Sequence, residues 1–112
     1  MEWIILFYET TSGERIIENF IAKQQPQARG KIGHLIDLLE QYGSMLRMPH
    51  AKQLDTNLYE LRVRGKEEIR IFYGFKKHTI YLLHAFKKQT QKTPQKELDI
   101  AMQRLQSLID KI

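Results

Sequence analysis

Three strand-like runs with very short links, Leu58–Arg64, Ile69–Phe75 and Thr79–Phe86, constrain this chain more than any other feature. Each is rich in β-branched and aromatic residues. The links, around Gly65-Lys66 and Lys76-Lys77, favour an antiparallel meander, because a parallel crossover needs a dozen or so residues. Cations recur inside and just after these runs. From Leu61 to Lys92 there are nine Lys/Arg against two Glu, whereas the whole 112-residue chain carries +5, so the remainder sums to −2. Unpaired charge is expensive to bury, so a sheet this basic is expected to present its cations to something anionic.

The remaining segments supply helices. Trp3 to Tyr8 reads as a strand that stops at Thr10-Thr11-Ser12-Gly13. Ser12 is expected to N-cap a helix with Glu14 and Glu18 near its positive end, and Ile16, Ile17, Phe20 and Ile21 repeat at helical spacing. Pro26 suits the first turn of a second helix, whose apolar face is Ile32, Leu35, Ile36, Leu38, Leu39 and Tyr42, with Gly43 as its stop. Ser44 to Thr56 has no clean period and contains Pro49; it reads as a loop. Pro94 opens a last helix, with Glu97 and Asp99 early and Leu98, Ala101, Met102, Leu105, Leu108 and Ile109 as its stripe. The expected order is β-α-α-β-β-β-α, one α+β domain over residues 1–112, with the helices packed on one face of a small antiparallel sheet.

Composition narrows the function. There are no cysteines, which removes disulfides, thiolate chemistry and Cys-based metal sites and suits a reducing cytoplasm. The opening MEWIILFYE is short and begins with an acid, so it reads as a strand rather than a signal peptide. No run approaches the roughly 18–20 apolar residues of a membrane span. Histidines 34, 50, 78 and 84 lack metal-ligand spacing, and there is no glycine-rich phosphate loop or catalytic-triad signal, so no metal and no cofactor are expected.

Strand parity places Leu61, Val63, Ile69 and Ile71 under the helices and Arg62, Arg64 and Arg70 together on the opposite, open face. The third strand alternates Ile80, Leu82, His84 and Phe86 with Tyr81, Leu83 and Ala85. Lys87 and Lys88 follow it, with Lys92 beyond. Guanidinium forks match phosphate oxygens, so this face suits a polyanion. Glu60, Glu67 and Glu68 are the alternative partners that would make the same arginines structural. His84 titrates near neutrality and is either a proton shuttle or a structural side chain. Phe72, Tyr73 and Tyr81 are base-stacking candidates, although Tyr73 is better explained as core.

The pair Leu58-Tyr59-Glu60-Leu61-Arg62 and Ile69-Arg70-Ile71-Phe72-Tyr73 resembles that of the RelE/ParE superfamily of toxin–antitoxin toxins. So does the string Leu82 to Lys88 followed by Lys92-Thr93-Pro94, which with Ala101 and Arg104 is similar to the HigB-like, phage-derived branch. This resemblance implies a RelE-like fold and a cytoplasmic toxin that cleaves mRNA on the ribosome and is neutralised by a cognate antitoxin, itself a helix-turn-helix protein. It also implies roles: Arg62, Arg70, Lys88 and His84 as catalytic candidates, with Arg64, Lys87 and Lys92 gripping RNA. Glu60 stands where some relatives carry a strand lysine, and a C-terminal tyrosine used by some relatives has no counterpart, so base and acid assignments do not transfer. The same scaffold also fits a ParE-like toxin that inhibits a protein target such as DNA gyrase, or a purely binding module.

Overall fold

A computed structural model describes residues 2–110. The elements are β1 (Ile4–Phe7), α1 (Ile16–Ala22), α2 (Pro26–Tyr42), a 3-10 turn at Gly43–Met45, β2 (Ala51–Asp55), β3 (Leu58–Val63), β4 (Ile69–Lys76), β5 (Thr79–Lys87) and α3 (Gln95–Asp110). They build a five-stranded sheet in the order β1-β5-β4-β3-β2. The meander β3-β4-β5 is antiparallel, as its short links require.

Four expectations need correction. The Ser44–Thr56 segment is not all loop, because Ala51–Asp55 forms an edge strand paired with β3. Its length of five residues and a register shift between Gln53 and Asp55 leave little alternation to detect. The sheet is mixed rather than antiparallel, since β1 runs parallel to β5 with Ile5 opposite Ile80. Ser12 does not cap α1: its Oγ lies 3.0 Å from Thr10 Oγ1, and that Thr10 oxygen accepts the Glu14 N–H, so the helix starts only at Ile16.

The fourth correction matters most for function. The helices are not all on one face. Ile17, Ile32, Leu35 and Leu39 of α1 and α2 pack on Leu61, Val63, Ile69, Ile71, Tyr73, Ile80 and Leu82. On the other face, α3 sets Ala101 and Leu105 against Leu58, Phe72, Leu83 and Phe86. Strand β4 is buried on both sides, and each such aromatic or aliphatic side chain contributes about 1.5–3 kcal/mol when fully buried. Gly74 permits the close approach of α3, because a Cβ there would lie 2.8 Å from Leu105 Cδ1 and from the Asn57 carbonyl oxygen.

Two joints fix the layers. Gly43 ends α2 at φ +49°, its N–H donating to the Leu39 carbonyl, and a Cβ at this position would fall 2.0 Å from the Trp3 indole nitrogen. Pro26 sits in the first turn of α2, where a missing N–H costs little. No helix among the described residues is long and apolar enough to cross a membrane.

Candidate nucleic-acid interface

Arg62 and Arg70 lie directly opposite each other in the β3–β4 ladder. Like charges in that relation repel, and the surrounding carboxylates resolve the conflict. Glu60 stands between them: its Oε2 is 3.6 Å from Arg62 Nε and its Oε1 is 3.6 Å from Arg70 Nε. Glu68 Oε1 accepts from Arg70 Nη2 at 3.1 Å and lies 3.8 Å from Arg64 Nη1. The result is an alternating row, Arg62–Glu60–Arg70–Glu68–Arg64. Its interior members lie on the face that α3 covers, and Arg62 and Arg64, past the end of the β2 pairing, also reach the groove beside α2.

The row is unevenly exposed. Arg70 is 2% and Glu60 4% exposed, so both are interior groups. Arg62 is half-buried and Arg64 is open to solvent. Burial pushes the Glu68 carboxyl up, but the hydrogen bond from Arg70 and the charges of Arg70 and Arg64 outweigh it and hold the group below its usual value. Glu60 Oε1, Arg62 Nε and Arg70 Nε are buried yet have no hydrogen-bond partner. Each arginine nitrogen nevertheless faces a Glu60 oxygen at 3.6 Å, so these atoms are held by charge across interior ion pairs rather than by hydrogen bonds.

The other expected residues are placed as follows. A bulge in β5 leaves Leu83 without a partner, so that Phe72 faces His84 while Tyr73 faces Leu82. The simple alternation of the third strand therefore breaks: Leu82 belongs to the α1/α2 core and Phe86 to the α3 core. His84 is brought to the same face as Arg70, one cross-strand row away, because Arg70 pairs with Phe86. Both of its ring nitrogens are engaged. Its Nε2 lies 2.7 Å from Glu97 Oε1, its Nδ1 is 3.4 Å from Arg104 Nη1, and its ring stacks on Phe86 at 5.6 Å. Burial lowers its pKa, and the opposing effect of Glu97 does not restore it. The neutral ring then donates from Nε2 to Glu97 and accepts at Nδ1 from Arg104, which also donates to the Leu83 carbonyl at 2.7 Å.

Lys88 is half-exposed beside Glu68, to whose carbonyl its N–H donates at 2.7 Å. Lys87 is opposite Ile69, on the other parity, and its ammonium pairs with Glu67 at 3.1 Å. It is therefore not grouped with the arginines as expected. Lys92 is exposed in the segment before α3, where its carbonyl accepts from Thr90 Oγ1. Tyr73 is core, and burial raises its phenol well above the ordinary value.

Sequence reasoning attached no role to Lys31, His34 or His50. These three line an open groove of about 740 Å³ with Arg62 and Arg64. The signal lay in the helical spacing of Lys31 and His34, but their partner His50 sits in the segment read as loop.

The arrangement can bind an anion: three guanidiniums converge, one of them reachable from solvent and one from the groove. No curated protein matches the chain. Residues 19–106, from within α1 through most of α3, match the family described as phage-derived protein Gp49-like (DUF891). The chain belongs to the Gp49-like phage-derived protein family.

Proposed function

We propose that this protein is a RelE/ParE-type toxin of a toxin–antitoxin pair that acts in the cytoplasm as a ribosome-dependent mRNA endonuclease. The observation that carries this reading is the arginine row, whose half-buried Arg62 and exposed Arg64 flank a carboxylate held in place by the interior Arg70. Membership of the Gp49-like family supports the toxin context.

The chemistry is transesterification. The ribose 2′-oxygen attacks the adjacent phosphorus, the P–O5′ bond breaks, and the products are a 2′,3′-cyclic phosphate and a 5′-hydroxyl. Glu60 serves as base for the 2′-OH proton through Oε2, the oxygen on the Arg62 side of the row, while Oε1 stays buried against Arg70. Arg62 stabilises charge on the phosphate, and Lys88 protonates the leaving 5′-oxygen. Arg70, almost wholly buried, acts as a positioning residue: it holds Glu60 and, with Glu68, fixes the row. His84 anchors α3 through Glu97 rather than moving protons. Lys92 and Arg64 grip the strand outside the cleavage point. The cognate antitoxin presents acidic side chains to this basic face.

A ParE-like reading, in which the face binds a protein such as gyrase without cutting RNA, draws on one observation: Glu60 and Glu68 already neutralise much of the row. Induced expression separates the two. The nuclease yields new mRNA 5′ ends bearing hydroxyls, lost in Arg62→Ala; the gyrase reading yields inhibited supercoiling with intact mRNA.

A further inference from the structure

Helix α2 carries two interior glycines, Gly30 and Gly33, and such a residue costs about 1 kcal/mol of helix stability relative to alanine. A Cβ added at either would meet nothing within 4 Å, so packing demands neither. Only Gly30 lines the groove between α2 and the residues around His50 and Arg62. Its missing side chain keeps that groove open.

The groove is cationic and carries two imidazoles, those of His34 and His50. Gly30, Lys31 and His34 fall on one side of α2, and His50, Arg62 and Arg64 come from across the gap. None of its lining residues is acidic. Lys31 Nζ donates to the Arg64 carbonyl at 2.8 Å, which holds the ammonium at the groove wall. A second cavity of about 580 Å³ shares Lys31 and Arg64 and continues to Lys66 at the β3–β4 turn, where its one acidic lining residue, Glu67, is paired with Lys87 at 3.1 Å. The two together make a track with cations along it, and Arg62 belongs both to that track and to the arginine row.

We infer that this track holds single-stranded RNA on its way to Arg62, with Lys31 and Arg64 on phosphates and His34 and His50 against bases. The inference rests on the nuclease reading for its choice of RNA. Two features favour RNA over an acidic peptide. Imidazole rings interleaved with cations suit stacking on unpaired bases, and the track leads into the site where a phosphate would react.

The test uses the purified full chain and a fluorescein-labelled octauridylate, with binding followed by anisotropy across a salt series. A glutamate-rich octapeptide is run in parallel. Gly30→Phe puts a ring into the groove, Lys31→Ala removes a phosphate partner, and Gly33→Phe is the control on the same helix outside the groove. Circular dichroism verifies that each variant is folded. Gly30→Phe is expected to weaken oligonucleotide binding at least tenfold, and Lys31→Ala to weaken it several-fold with a salt slope shallower by about 0.7. Gly33→Phe should bind like wild type. Failure of wild type to bind the oligonucleotide, equal binding by Gly30→Phe and Lys31→Ala, or groove-dependent binding of the peptide alone overturns the inference. Groove-dependent RNA binding without mRNA cleavage in cells keeps the track and refutes the nuclease. Cleavage indifferent to both groove variants keeps the nuclease and refutes the track.

Discussion

Replacing Glu60 with glutamine removes one charge from the middle of the arginine row and changes almost nothing in shape. The carboxylate lies 3.6 Å from both Arg62 and Arg70. At an effective dielectric near 20, each contact carries about 4–5 kcal/mol of Coulomb energy before desolvation is counted. Truncating one partner of a buried pair costs about 3–5 kcal/mol, because the remaining charge is stranded. Here the loss is softened: Arg70 retains Glu68 at 3.1 Å, and the Arg62 side chain, 15% exposed, can rehydrate. The expected cost of Glu60→Gln is about 2–3 kcal/mol, or a fall of roughly 8–12 °C in Tm for a chain of this size. Glu68→Gln is the internal standard. Its side chain is 34% exposed, and a pair that solvent screens is worth about 1 kcal/mol or less. Urea unfolding followed by circular dichroism measures both. If Glu60→Gln costs under about 0.5 kcal/mol, or Glu68→Gln costs more than Glu60→Gln, the buried row is not held as described.

Other consequences follow from the same structure. Gly43→Ala should cost about 3 kcal/mol or more, as it combines a positive φ with a Cβ 2.0 Å from the Trp3 indole; thermal unfolding reads the loss, and a near-neutral result would contradict that joint. Acidification should destabilise the fold in two stages. His84 is held below its ordinary value of 6.5, so the unfolded chain binds the extra proton, and stability present above about pH 6.5 is lost as pH falls through the lowered folded value. Glu68, also lowered, adds a further loss below its ordinary value of 4.5. Urea midpoints between pH 7 and pH 5 should decline, and His84→Gln should flatten that decline; an unchanged slope would mean that His84 does not titrate differently on folding. Glu60→Gln should also reduce mRNA cleavage by about 10²-fold or more if this carboxylate is the base, and cleavage by a folded Glu60→Gln protein at the wild-type rate would remove it from that role.

The meander and both long helices were legible because they rest on local signals: β-branched runs, short polar links, Pro26 and Gly43. The α3 placement was not legible from the helix stripe alone, since an amphipathic helix does not name the face it will cover. The hint lay in β4, where Phe72 and Gly74 make the arginine-bearing face apolar as well, a sign of a strand buried on both sides. Strand β2 escaped because a short, bulged edge strand shows almost no alternation. The bulge at Leu83 escaped for a related reason: one extra residue reverses parity for everything after it, which sets Lys87 opposite Ile69 and away from the arginines. Arg62 and Arg70 do share a face, since they pair across the ladder, but that face is covered by α3 rather than open, and Arg64 lies just past the end of β3. That Arg70 would be interior, bracketed by Glu60 and Glu68, depends on cross-strand register, and composition carries no trace of register.

The central claim is that the row from Arg62 to Arg64 acts on an mRNA phosphate. Its most direct test is the mapping of mRNA 5′ ends, in a reconstituted translation reaction with and without ribosomes, for wild type beside Arg62→Ala. The account predicts ribosome-dependent cuts whose new ends carry 5′-hydroxyls and 2′,3′-cyclic phosphates, reduced at least a hundredfold in folded Arg62→Ala. Intact mRNA with wild type, or undiminished cutting by Arg62→Ala, would contradict it.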